Sequence, residues 1–369
     1  MSRRFSGWTI ASGFPGLLSL FNLQAADVPS FPLSEDETVV FFPSDASFDA
    51  NRDQWQIPIH GWVYQNPQSV ARKALAASLL EGKYQLRLTA EIEPIFSERI
   101  NLLFADNERG KSFWIRLCNK DLPLAASAPN GHFQSMLTIP AYEVAQCASE
   151  GYLSFHLLTA PDDKRQFFGR VRLLAPLGTS IISDIDDTVK ITEVTNRAAL
   201  MNNTFYQPFQ AVPGMPEAYR QLAQLGLQFH FVSSSPWQLY PVLEAFRQQS
   251  MLPPASYALK NVRFRDTDFF NLFKSGKETK PAQIESILQR FPQRHFILIG
   301  DSGEQDPEVY AQMLRRYPQQ VLGFAIRLLD GANQQARFDA LLQGLDTRRI
   351  LLFNDPVQLP EFVAALQRS

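Results

Sequence analysis

Beyond Gly178 the chain alternates between short apolar runs and amphipathic stretches, and that alternation restricts it to one class of fold. "TSIISDID" reads as a strand and "GMPEAYRQLAQLG" as a helix, with Pro216 near its start and Gly226 at its end. "LQFHFVSSS" is the next strand and "PWQLYPVLEAFRQQ" the next helix. "KPAQIESILQRF", "HFILIGDS", "DPEVYAQMLRRY" and "VLGFAIRLL" carry the pattern on, and "RILLFNDP" adds a further strand. Strands joined through helices run parallel, so this half predicts an α/β fold, a doubly wound parallel sheet covered on both faces. In such sheets the chemistry gathers beyond the carboxyl ends of the strands.

Three of these strands end in polar clusters. The first ends in Asp184-Ile-Asp186-Asp187-Thr188, the second in Ser233-Ser234-Ser235, and the third in Gly300-Asp301-Ser302-Gly303-Glu304-Gln305-Asp306. Parallel strands bring all three to one edge. Carboxylates held together repel, and a proton, a cation or solvent must relieve the repulsion. Asp184, Asp186 and Asp301 at one edge therefore call for a divalent cation, and an all-oxygen set suits Mg²⁺. A helix–loop–helix calcium site does not fit, because Val189 stands where that loop needs glycine.

These residues carry a resemblance. An Asp-x-Asp-x-Thr after an apolar strand, a Ser at the next strand end, a Lys before a third and a Gly-Asp-x-x-x-x-Asp after it resemble the haloacid dehalogenase superfamily of phosphatases. "SDIDDTVKITEV", "FHFVSSSPWQLYPVLEAF" and "FPQRHFILIGDSGEQDPEVYAQMLRRYP" are similar to the actin-patch-protein type of phosphatidate phosphatase, a relative of the lipins, and the similarity runs from about Thr179 to Arg327. "VVFFP" and "IPIHGWVY" look like the domain that precedes the catalytic one in bacterial members.

The resemblance implies a Mg²⁺-dependent hydrolysis of phosphatidate, or of a related lipid phosphate monoester, through an aspartyl-phosphate. Asp184 is the implied nucleophile and Asp186 the acid and base. Thr188 holds the loop and Asp186, Ser233 donates to the phosphoryl group, and Lys280 stabilises its charge. Asp184, Asp186 (through its main-chain carbonyl), Asp301 and Asp306 form the implied metal site. Alternatives stay open at several positions. Ser234 replaces Ser233 if the strand runs one residue further. Lys277 competes with Lys280, which is favoured because it opens a helix. Asp187 reads as a turn residue, Glu304 as a ligand, a supporting group or solvent-exposed, and Arg327 as half of a structural ion pair.

The first half reads differently. "DETVVFFPSDASF", "QWQIPIHGWVYQ", "YQLRLTAEIEPIF", "KSFWIRLC", "GHFQSMLTIP" and "YLSFHLL" alternate as strands, and one helix, "PQSVARKALAASLLEG", interrupts them. This predicts a mostly β, sandwich-like domain over residues 27–176, with the phosphatase domain over 177–369 and a linker at Pro176-Leu-Gly178. Residues 1–26 run basic, apolar, then small, the order of a secretory signal, so export is expected, with a cytoplasmic or peripheral membrane protein as the alternative. Cys118 and Cys147 fit one disulfide if the chain is exported, and buried apolar residues otherwise.

A formal net charge of -2 gives no field toward nucleic acid. The five histidines show no ligand spacing and read as structural. No Gly-x-Ser-x-Gly elbow or phosphate-binding glycine loop is present. "FRDTDFFNLF" sets Phe264, Phe269, Phe270, Leu272 and Phe273 beside Arg263 and Arg265, either as a lip that meets lipid or as buried aromatics. Short insertions between the motifs suit a membrane headgroup or a macromolecular substrate. A phosphatase of a soluble phosphomonoester, and a protein- or envelope-binding role for the β domain, are the rival readings.

Overall fold

The structure, a computed structural model, describes residues 33–65, 70–261, 279–329 and 334–368. The expected export signal, Lys277 and the aromatic segment from Arg263 to Phe273 lie outside the described residues.

The first half contains β1 (Glu37–Phe42), β2 (Ser44–Asp49), β3 (Gln54–Gln65), α1 (Val70–Tyr84), α2 (Glu93–Leu103), β4 (Asp106–Asn107), β5 (Trp114–Leu117), β6 (Lys120–Pro123), β7 (His132–Pro140), α3 (Ala141–Cys147), β8 (Tyr152–Leu157) and β9 (Phe168–Leu174). The strands join one mixed sheet in the order β1-β3-β2-β9-β8-β5-β6, with β4 and β7 also paired to β3. β1 and β8 are far apart in that order, yet Phe41 meets Phe155 edge-on at 4.8 Å. The sheet therefore closes over its own core, which includes Ile57, Ile59, Val63, Phe133, Leu153 and Phe155. Gly61 and Gly169 make the room: a Cβ on either would lie 2.3 Å or 2.1 Å from the rings of Phe133 and Phe155. Cys118 and Cys147 are joined as a disulfide, their Cα atoms 5.3 Å apart.

The mostly β character is as the alternation predicts, but one expected strand is not there. The latter part of "YQLRLTAEIEPIF" starts α2. Pro94 sits in its first turn, where a missing N–H costs nothing, and Phe96, Ile100 and Leu103 recur at helical spacing on the buried side. Among its described residues the half thus holds three helices where one was expected.

The second half contains β10 (Thr179–Ser183), α4 (Arg197–Phe205), α5 (Met215–Gln224), β11 (Gln228–Pro236), α6 (Tyr240–Gln249), β12 (Ala255–Lys260), α7 (Thr279–Arg290), β13 (His295–Asp301), α8 (Asp306–Arg316), β14 (Val321–Arg327), α9 (Gln335–Leu341), β15 (Ile350–Phe353) and α10 (Gln358–Arg368). Its six strands are parallel, in the order β12-β11-β10-β13-β14-β15. The chain builds outward from β10 to β12, then crosses to the other side of β10 for β13 to β15. That reversal opens a crevice at the carboxyl ends of β10, β11 and β13. Neither β12 nor α4 is expected from the sequence. β12 is an edge strand behind Pro253-Pro254, and its Ala-Ser-Tyr-Ala-Leu-Lys contains no β-branched residue.

The two halves share a core. Phe42, Trp62, Phe96 and Ile100 belong to the same buried cluster as Phe205, Tyr206, Trp237 and Tyr240. Phe42 packs on Trp237 at 4.4 Å and Phe96 on Tyr206 at 5.2 Å. α2 lies against α4 and against the turn at Trp237–Leu239, so the first half abuts the crevice end of the second.

Candidate active site

β10 is buried through Ile181 and Ile182, and the sheet still holds the first residue beyond it: Asp184 N–H donates to Ile299 O of β13 at 2.9 Å. The chain then turns sharply. Val189 and Lys190 both donate their N–H to Ile185 O at 3.0 Å, a helix-like turn that brings a residue back beside the one four positions earlier. Thr188 consequently donates to Asp184 Oδ2 at 3.2 Å, not to Asp186 as expected.

Asp187 has φ of 56°, and its carboxylate accepts the N–H groups of Thr192, Glu193 and Val194 at 2.8, 2.8 and 2.6 Å. It is a turn residue. Arg327 donates to the Asp187 carbonyl at 2.8 Å, so its bond is to the main chain and the expected ion pair is replaced.

Two carboxylate groupings result. In the first, Lys280 Nζ lies 2.8 Å from Asp184 Oδ1 and also bonds Asp306. Asp306 accepts a long bond from the Tyr310 hydroxyl at 3.4 Å. Gly300 admits Asp306 to the site, since a Cβ there would lie 2.2 Å from Asp306 Oδ2. Asp301 Oδ1 accepts the Gly303 N–H at 2.6 Å, while its Oδ2 is buried without a partner. Carboxylate oxygens of Asp184, Asp301 and Asp306 lie within 4.8 Å of one another.

Three buried carboxylates share one ammonium. Burial raises Asp184 and Asp301 well above the usual carboxylate range; Lys280 opposes this in part, and Asp306 adds to it. Burial alone would drive Lys280 toward neutrality, but Asp184 and Asp306 outweigh it and push its pKa up. With all three acids ionised, two negative charges remain uncompensated, the charge of one divalent cation. The orphaned Oδ2 of Asp301 and the all-oxygen donor set both fit such an ion.

In the second grouping, Asp186 is saturated with donors. Lys190 Nζ lies 2.7 Å from Oδ1, and Thr192 Oγ1 donates to the same oxygen at 2.9 Å. Ser233 and Ser235 each donate to Oδ2 at 3.0 Å. Burial opposes the charge, but Lys190 and the hydroxyls outweigh it and hold Asp186 at about 2. The Asp186 side chain stands outside the three-carboxylate group, and Ser233, expected to face the ligand, is engaged with Asp186. Ser234 Oγ is buried without a partner. A cavity of about 280 Å³ opens beside Asp186, lined among others by Arg197, Thr204, Ser234, Ser235 and Glu304. Burial also raises Glu304.

Lys190, Thr192 and Ser235 were not singled out in the sequence. Lys190 had a signal, four residues after Asp186. Three of the five histidines pack inside the fold: His60 Nε2 lies 3.0 Å from His132 Nδ1 among Phe42 and Trp237, and His230 Nδ1 lies 3.0 Å from Asp45 Oδ2.

Residues 179–328 match the family model described as the catalytic domain of phosphatidate phosphatase APP1. That similarity is confined to the second half of the chain. An uncharacterized protein of Schizosaccharomyces pombe is 34% identical over 176 residues, 46% of this chain and 29% of that protein. The phosphatidate phosphatase APP1 of Saccharomyces cerevisiae is 35% identical over 158 residues, 42% of this chain and 26% of that protein. The chain spans less than a third of the length of either relative. Among solved structures, D,D-heptose 1.7-bisphosphate phosphatase from B. bronchiseptica, complexed with magnesium and phosphate, aligns at 16% identity and TM-score 0.31, over 52% of this chain and 100% of that one. Cytosolic 5'-nucleotidase IIIB bound to cytidine aligns at 14% and 0.30, over 52% and 85%. The acid-lined crevice lies within the segment that resembles a phosphatidate phosphatase catalytic domain.

Proposed function

We propose that the protein is a Mg²⁺-dependent phosphatase that hydrolyses phosphatidate, or a related lipid phosphate monoester, to the alcohol and inorganic phosphate. The observation that carries this reading is the buried Asp184–Lys280–Asp306 grouping beside the unpartnered oxygen of Asp301, in a segment that resembles the APP1 catalytic domain. Asp184 and Asp301 would hold the ion, with Asp306 alongside and the Asp186 carbonyl as the resemblance implies. When bound, it supplies charge that screens the phosphate from the attacking carboxylate.

The chain's own residues do the rest. Thr188 and Lys280 orient the Asp184 carboxylate, and one of its oxygens attacks phosphorus. The bond from phosphorus to the ester oxygen breaks, and that oxygen takes a proton from Asp186, leaving as the alcohol. Water then gives a proton to Asp186 as its oxygen attacks phosphorus, the bond to Asp184 breaks, and phosphate leaves. Asp186 must therefore acquire its first proton when the anionic phosphate arrives beside it. The donors from Ser233 and Ser235 then turn toward the phosphoryl oxygens.

The test is phosphate release from phosphatidate in mixed micelles, with Mg²⁺ and with EDTA, for the wild type and Asp184→Asn. Metal-dependent release that vanishes in the variant is the expected result. Release only from an aryl phosphate would retain the chemistry and remove the lipid. The hydroxyl and charged side chains among the lining of the 280 Å³ cavity, which Val194 and Leu200 complete, support a second reading, a soluble phosphomonoester with a hydroxylated leaving group. Export is part of the proposal, and the Cys118–Cys147 disulfide supports it.

A further inference from the structure

Asp186 is held by residues whose own support comes from the other half of the chain. Lys190 is buried, and besides Asp186 it bonds Thr192. Its ammonium lies over the ring of Phe209, 4.7 Å from the centroid. The guanidinium of Arg99, on α2, lies over the same ring at 3.9 Å. Arg99 also donates to Thr204 O and Gln207 O, both at 2.7 Å, which fixes the end of α4 and the segment leading to Phe209. That segment is paired with the one bearing Lys190: Ile191 N–H donates to Gln210 O and Val212 N–H to Val189 O, each at 2.9 Å.

A lysine side chain is long and flexible, so holding its ammonium at one carboxylate oxygen requires contacts along its length and at its tip. Both cations are drawn to the negative face of the ring. The ring is in place because Arg99 ties down the backbone before it. We propose that Arg99 and Phe209 are positioning residues for proton transfer: they fix Lys190, and through it the Asp186 carboxylate, so that the first half of the chain completes the active site of the second. The proposal rests on the role of Asp186 given under the proposed function.

Proton donation matters most when the leaving group is a strong base. The alkoxide of a phosphatidate headgroup must be protonated as its bond to phosphorus breaks. A p-nitrophenolate is a weak base and departs without a proton. A residue that only supports folding affects both alike.

The experiment is single-turnover release of the leaving group, enzyme in excess and Mg²⁺ present, from phosphatidate in mixed micelles and from p-nitrophenyl phosphate. Arg99→Met and Phe209→Leu should slow release from phosphatidate by ~10- to 100-fold, a part of the total effect of a positioned acid. Release of p-nitrophenol should change far less. Arg99→Lys should recover much of the lost rate. Lys190→Met and Asp186→Asn should show the same selectivity more strongly. Equal slowing of both substrates in the Arg99 and Phe209 variants, or no slowing, overturns the positioning role while a selective Asp186→Asn leaves the proposed function standing. An Asp186→Asn variant with no selectivity removes the acid itself, and both readings fall together.

Discussion

Two buried charge clusters lie toward opposite edges of the same parallel sheet and differ in one respect. At the amino end of β11, Asp45 is matched by Arg172, with Nε 2.6 Å from Oδ1, and by His230, 3.0 Å from Oδ2. The remaining nitrogens of Arg172 reach Gln228 Oε1 at 3.0 Å, Phe229 O at 2.9 Å and Pro254 O at 3.4 Å. Burial alone would raise Asp45, but Arg172 and His230 outweigh it and hold the carboxyl far below its ordinary range. At the carboxyl ends of β10 and β13, Lys280 bonds Asp184 and Asp306 but not Asp301, and burial drives Asp184 and Asp301 up. Equal burial produces opposite titration. What separates a structural cluster from a candidate active site here is the missing positive charge.

The comparison breaks most sharply at Asp184. Asp184→Asn should lower phosphate release by ~10³-fold or more, the order of loss when a nucleophile is removed. It should not lower the thermal midpoint without metal, because it removes a charge from a cluster that has too many. A variant that lost activity only because it unfolded at assay temperature would contradict the division. Asp45→Ala should behave in the reverse sense. It leaves Arg172 buried without its carboxylate, which costs about 3–5 kcal/mol, while activity per folded molecule persists. Chemical denaturation and titration of folded active sites would measure the two separately.

Acid should act mainly on the His60–His132 pair and on Asp45. Burial, with the charge of His132 beside it, lowers His60 to about 3, and burial lowers His132 to about 4. Groups whose folded pKa is depressed contribute stability above their unfolded pKa and lose it as pH falls toward the folded value. The two histidines therefore weaken the fold from about pH 6.5 down to about 3–4, and Asp45 adds its share below the ordinary carboxylate range. Asp184 and Asp301 have the opposite sign: their raised values mean that acid relieves strain at the site. Urea unfolding between pH 8 and 4 should show falling midpoints in the wild type and a flatter profile in His60→Phe. An unchanged slope would show that the histidine pair is not what acid attacks.

The strand–helix alternation made the parallel sheet legible, because a buried parallel strand and an amphipathic helix write different periods into the sequence. The acids were legible because a carboxylate run after Ile181 and Ile182 has no apolar use. What escaped was short or contextual. The edge strand β12 has no β-branched residue to mark it, and α2 was concealed by a local alternation that Pro94 and the Phe96–Ile100–Leu103 spacing overrule. Within the site, the carboxylates could be named but not their partners. A turn closing on Ile185 O, not the motif, decides that Thr188 serves Asp184 and that Lys190 and Ser235 serve Asp186. The contribution of Arg99, 87 positions before Asp186, has no sequence signal at all, since only the shared core brings α2 to α4.

The finest test of the comparison lies in Asp301. A small divalent cation at a hundred times its dissociation constant stabilises the folded state by ~2.7 kcal/mol, and it should do so in the wild type. In EDTA, Asp301→Asn should be slightly more stable than the wild type, by about 1 kcal/mol, since it removes one repelling charge and its amide can donate to a neighbouring carboxylate. Adding Mg²⁺ should then raise the wild-type midpoint and leave the variant nearly unmoved, so the two melting curves cross in order as metal is added. The Asp45 cluster allows no such crossing, because its carboxylate already has Arg172 and gains nothing from a cation in solution. Parallel curves for wild type and variant would mean that Asp301 is satisfied as it stands, and its unpartnered oxygen would lose its meaning as a ligand.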